Sequence, residues 1–153
     1  MAAMAGPIVA ALLALLLAGC ATARREPLPR GCLDQPAAIV QALAQAPGAV
    51  RLADGTRLST CVRHARADGD LQALGVSLIT VADMLRARVA SDPTAAAGLG
   101  YLAGAVRAGV AANQGLAGEL GRRIERATAL DDDASQPARA AHARGMQAGA
   151  SGG

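Results

Sequence analysis

A single aromatic residue, Tyr101, stands in a chain of 153 residues that has no Phe and no Trp. Large rings normally carry much of the buried area of a small domain. Without them the core has to be assembled from Leu, Val, Ile and Ala. The same lack narrows function. Proteins that track single-stranded nucleic acid stack bases on aromatic side chains inside a cationic groove. Here the formal net charge is only +3, and the basic residues are scattered rather than clustered, so nucleic-acid binding is not expected. All 15 basic residues are Arg. With no Lys, Schiff-base chemistry and Ser–Lys nucleophile pairs are excluded.

The apolar residues recur at helical spacing. In residues 68–93, Leu71, Leu74, Leu78, Val81 or Ala82, Leu85 and Val89 form one stripe, with Asp68 or Asp70 as cap and Asp83 and Arg86 paired outside. Asp92-Pro93 ends this helix and starts another, with Asp as cap and Pro in the first turn. Leu99, Leu102, Val106 and Val110 continue the pattern, and Leu116, Leu120 and Ile124 extend it, with Glu119 and Arg123 paired outside. Asn113 and Gly115 favour a break, so residues 93–129 are read either as two helices or as one continuous helix. A shorter helix is expected after Pro36, ended by Pro47-Gly48. Over residues 49–62 the period changes to alternation around Asp54-Gly55. This is a candidate β-hairpin, or else an irregular loop pinned by Cys61. Residues 131–153 hold too little apolar surface to offset ordering entropy and are expected to be a disordered tail. The fold expected is mainly α: a small bundle of three or four helices over residues 32–130, with an optional short β-hairpin.

The N-terminus carries a different signal. Ile8–Ala18 is an unbroken apolar run that ends at Gly19-Cys20. It is about half the length a membrane-spanning helix needs, and it fits the apolar centre of an export signal. The preceding "MAAMAGP" has no Lys or Arg, a departure from the usual signal pattern. Leu17-Ala18-Gly19-Cys20 resembles the lipobox of bacterial lipoproteins. That resemblance covers residues 1–20 and implies cleavage before Cys20 and a thioether-linked diacylglycerol on it. Residues 1–19 are then a signal peptide, and residues 20–31 a lipidated, proline-containing tether. The competing reading is a buried N-terminal helix of a cytosolic domain.

With Cys20 assigned to lipid, Cys32 and Cys61 remain as an even pair, which in an exported protein reads as a disulfide. The alternative, Cys61 and His64 of "CVRH" in a metal site, lacks a second Cys pair. Gly100-Tyr101-Leu102-Ala103-Gly104 has the small-xxx-small spacing that lets helices approach closely. Arg107 in the same segment argues against a membrane setting. This face is read as packing inside the bundle or as a self-association face that would make a homo-oligomer. Tyr101 either fills the core or anchors a partner. His64 and His142 are far apart in sequence, Ser59 and Thr60 lack an orienting acid, and no glycine-rich loop follows a strand.

No catalytic, metal or cofactor residues are therefore assigned. The expectation is a non-catalytic envelope lipoprotein, held by Cys20 on the outer face of the cell membrane or on the outer membrane. It would act as an interaction or scaffolding module toward an envelope protein. The alternative is a lipoprotein binding a lipid or small molecule in a cavity between Ala- and Gly-rich helices.

Overall fold

The computed structural model describes residues 27–111 and 115–153. The expected export signal, Cys20 and the expected Asn113 cap lie outside the described residues. Within them the chain is helical and has no strand. A 3₁₀ turn, Arg30–Leu33, precedes α1 (Pro36–Leu43), α2 (Leu58–His64), α3 (Asp68–Arg86), α4 (Pro93–Val110), α5 (Leu116–Ala127) and α6 (Gln136–Gly152). Six helices exceed the three or four expected. The two additions are α2 and α6.

The hairpin expected over residues 49–62 is absent. Its Asp54-Gly55 turn does form, with Gly55 at φ 82° and the Leu52 amide bonded to the Thr56 carbonyl at 3.0 Å. The returning half coils into α2 instead. Leu58 and Val62 fit alternation with Thr60, but with Cys61 they also fit a helix face, and Leu58, Cys61 and Val62 are buried there. Asp54 links the local turn to the 3₁₀ turn. One of its oxygens accepts the Gly31 amide at 2.7 Å and the other the Thr56 amide at 2.9 Å. These bonds, the one from Gly31 foremost, hold its carboxyl below the usual range. A disulfide joins Cys32 to Cys61, and both are buried. Closing 29 residues stabilises the fold by about 3–4 kcal/mol in the chain-entropy picture. The 3₁₀ turn is thus fastened twice, to α2 by the disulfide and to the turn that precedes α2 by Asp54.

Helix α4 is the axis of the bundle and touches every other helix. It is buried around most of its circumference, from Ala95 to Val106, as befits a core helix rather than a surface one. Its start follows the sequence reading. Asp92 accepts the Thr94 amide at 2.9 Å and the Thr94 hydroxyl at 2.6 Å, which lowers its pKa, and Pro93 opens the first turn. Helix α3 behaves differently. Its N-cap is Ala67, which makes no side-chain cap bond, so Asp68 and Asp70 act from within the first turn, where a negative charge favours the helix dipole.

The tail expected to be disordered contains α6. Ser135 caps it by accepting the Ala138 amide at 3.3 Å, and Pro137 sits in its first turn. The helix lies along α4 with the two backbones in contact. A Cβ placed on Gly145 would sit 2.9 Å from the Tyr101 nitrogen and inside the Ala97 carbonyl. One on Gly104 would sit 2.7 Å from the Ala150 nitrogen. Gly100 and Gly149 are equally confined, each by backbone of the opposite helix. The surface α6 buries is therefore peptide and alanine rather than large side chains, and a count of apolar residues does not register it.

The C-terminus of α5 is closed by groups from three elements. Its last carbonyls carry the partial negative charge of the helix end and have no partner within the helix. The Thr128 hydroxyl donates to the Ile124 carbonyl at 2.8 Å. Arg86 of α3 donates to the Ala127 carbonyl and, at 3.4 Å, to that of Arg126. It also pairs with Asp131 at 3.6 Å, rather than lying with Asp83 as its spacing suggested. His142 of α6 donates its Nε2 hydrogen to the Thr128 carbonyl at 3.0 Å.

Candidate interaction surface

The residues singled out from the sequence are mostly spent inside the fold. Gly100 and Gly104 face α6, and Tyr101 is 1% exposed, so this segment offers a partner no surface while α6 is in place. Burial raises the Tyr101 pKa, opposed by the Val50 backbone and the Arg51 and Arg57 charges. His142 is likewise committed, to the end of α5. Burial holds its imidazole below the ordinary value, against the opposing pull of the Thr128 carbonyl. Cys32 and Cys61 are consumed in the disulfide. Among the described residues no three His, Cys, Asp or Glu side chains gather into a group that could hold a metal ion. No described helix is long and apolar enough to cross a membrane.

Open depressions remain elsewhere: one lies between Arg86, Val89 and Ala138, and another has exposed apolar rims. Helices α3 and α5 diverge to leave a groove of about 370 Å³ floored by Leu71, Gly75, Ile79 and Leu120. Val76 and Leu116 form its rims and are 64% and 59% exposed. A smaller depression, about 270 Å³, lies between the 3₁₀ turn and α3, and Val76 borders it too. Its outer edge is Leu33, 61% exposed. Among the described residues, three of the four exposed large apolar side chains thus sit along one side of the bundle; Met84 is the fourth. Scattered exposed apolar residues are ordinary, whereas a contiguous strip of them marks a contact surface.

The Glu119 carboxylate on the edge of the larger groove is satisfied by its own helix. It accepts from Arg123 at 3.0 Å and from Arg122 at 2.8 Å. These two cations, Arg123 first, lower its pKa. Asp68 and Gln72 complete the polar edge of the larger groove. What the groove offers is apolar surface bordered by a neutralised carboxylate. The sequence reading missed it because Val76 falls off the buried stripe of α3, while Leu116 keeps the spacing of the α5 stripe and yet is 59% exposed. An apolar residue on the polar side of an amphipathic helix was the available signal.

Compared with protein-family models, with curated proteins and with solved structures, the chain matches none.

Proposed function

We propose that the protein is a membrane-anchored envelope lipoprotein whose helical domain serves as a non-catalytic interaction or scaffolding module. Export and the anchor rest on the Leu17–Cys20 lipobox and the apolar run before it. Two acyl chains on Cys20 would hold the protein stably without a spanning helix. The observation that carries the interaction reading is the apolar strip of Leu33, Val76 and Leu116 along the α3–α5 groove. The buried Cys32–Cys61 disulfide supports an oxidising compartment.

The test is the intact mass of protein extracted from its native membranes, with and without thiol alkylation. A chain that begins at Cys20, carries lipid and takes up no alkyl group supports the reading. A full-length chain with alkylatable thiols would end it. Photocrosslinkers at Val76 and Leu116 would then identify what the strip touches.

The alternative, a lipid- or small-molecule-binding lipoprotein, has its best footing in the same groove, which is roomy enough for part of an acyl chain. The glycine-rich faces of α4 and α6 lend this alternative no support, because each is filled by the other's backbone. Native mass spectrometry of the extracted protein separates the readings, since co-purifying apolar ligand favours binding and bare protein favours the interaction module.

A further inference from the structure

We propose that the strip formed by Leu33, Val76 and Leu116 is the side of the domain that rests on the lipid surface itself, by shallow apolar insertion. This rests on the reading of Cys20 as the lipidated residue and names the occupant of the surface described above. Two observations carry it. The first is the length and exit point of the tether. Pro27, where the described chain begins, lies seven residues after Cys20, and such a stretch spans at most about 25 Å when fully extended. The domain therefore cannot move far from the bilayer. The tether also joins the bundle at a fixed place, since Gly31 is held by Asp54 and Cys32 by the disulfide. Leu33 follows directly and is exposed. The side facing the anchor is thus the side that bears the strip.

The second observation is charge. Asp34, Asp68 and Glu119 border the two depressions, with Arg123 beside Glu119 and the exposed Arg30 in the adjoining turn. Cations and carboxylates nearly cancel, so this side has no electrostatic preference for an anionic surface. Apolar side chains at the rims are what a lipid surface can accept. The contact should therefore depend little on lipid charge or on salt.

The experiment uses the full chain extracted from native membranes, with Val76→Cys carrying an environment-sensitive fluorophore, reconstituted into vesicles of phosphatidylcholine with or without phosphatidylglycerol. Leu116→Cys gives a second, independent probe, and Arg144→Cys on the exposed side of α6 a control. The expected result is a blue shift at positions 76 and 116, with loss of emission to nitroxide-labelled lipid. It should be similar in both lipid mixtures and persist in high salt, while position 144 stays aqueous. A shift that appears only with anionic lipid and vanishes in salt would overturn the proposal in favour of electrostatic adsorption. A shift already present in detergent and dependent on protein concentration would overturn it in favour of a second copy on this face. Aqueous emission at both positions from a chain whose mass includes the diacylglycerol would overturn it and leave the lipoprotein reading standing. A chain without lipid would remove both.

Discussion

Helices α4 and α6 meet backbone to backbone, whereas α3 and α5 meet through side chains and leave a groove between them. The first contact uses glycines whose Cβ positions are already occupied by carbonyls and amides of the opposite helix. The second uses Leu120 against Gly75, where an added Cβ would meet only the end of the Leu120 side chain, at 3.2 Å. One interface is dense and closed to any partner; the other is open and rimmed by exposed Val76 and Leu116. In a chain with almost no aromatic residues, glycine does the work of close packing, and the apolar side chains this spares can be exposed for another use.

The largest expected effect comes from filling the closed interface. Gly145→Val would drive a branched side chain into the Ala97 carbonyl and the Tyr101 amide, and backbone cannot yield as a side-chain tip can. We expect a loss of at least about 3 kcal/mol, at the upper end of overpacking costs, read as a fall in the urea midpoint. The comparison sharpens with one substitution made on each side. Gly104→Ala should destabilise by about 2 kcal/mol. Gly118→Ala on α5, whose nearest neighbour is an Arg122 nitrogen 3.9 Å away, should stabilise by about 0.5–1 kcal/mol through helix propensity. Equal effects at the two sites would mean that α6 does not pack as described.

These two interfaces also mark how far the sequence could be read. The α3 stripe, the Asp92-Pro93 boundary and the Cys32–Cys61 pair follow from spacing and parity, because each depends on residues close in sequence or on a forced pairing. Helix α6 did not follow, because its stabilisation comes from peptide surface brought close by Gly145 and Gly149, and apolar composition does not record that. Helix α2 was misjudged for another reason. Leu58 and Val62 fit two periods, alternation with Thr60 and a helix face with Cys61, and the helix is fixed by the disulfide and by the close approach of α2 to Gly109, where an added Cβ would lie 2.8 Å from the Ser59 carbonyl. Val76 on the polar side of α3 was a legible sign of the rim, but the groove itself depends on how α3 and α5 pack, which no single stretch encodes.

Arg86 couples the two regions, reaching from α3 to the carbonyls that end α5 and to Asp131 on the way to α6. Arg86→Ala should cost about 1 kcal/mol, reduced from the worth of a buried charged hydrogen bond by its partial exposure. Hydrogen exchange should quicken at the end of α5 and the start of α6 more than in α2. Uniform quickening would break the idea that Arg86 joins these elements in particular.

His142 adds a smaller, pH-dependent effect on the closed side. Its pKa is lowered in the folded protein by burial, while the unfolded chain titrates near 6.5. Between those two values the unfolded state binds more protons, so stability rises with pH. The contribution is complete above pH 6.5 and is lost as pH falls through the folded value. A urea midpoint that declines on acidification from neutral pH, with a shallower decline in His142→Asn, is the expected outcome. Identical slopes would assign the acid sensitivity to other groups.

The smallest expected effect is at the open side, and it is the most informative about use. Val76→Ser and Leu116→Ser remove side chains that are 64% and 59% exposed, so each should change stability by no more than about 0.5 kcal/mol. Leu120→Ala, one turn beyond Leu116 but 6% exposed, should cost about 2–5 kcal/mol. If Val76 or Leu116 proved as costly as Leu120, the rims would belong to the core and the groove would be closed in solution. If both are neutral for folding, their exposure is sustained at no benefit to the isolated domain. An apolar rim that folding does not need keeps its desolvation energy available, and whatever covers it gains that energy at about 25 cal/mol for each Å² removed from water.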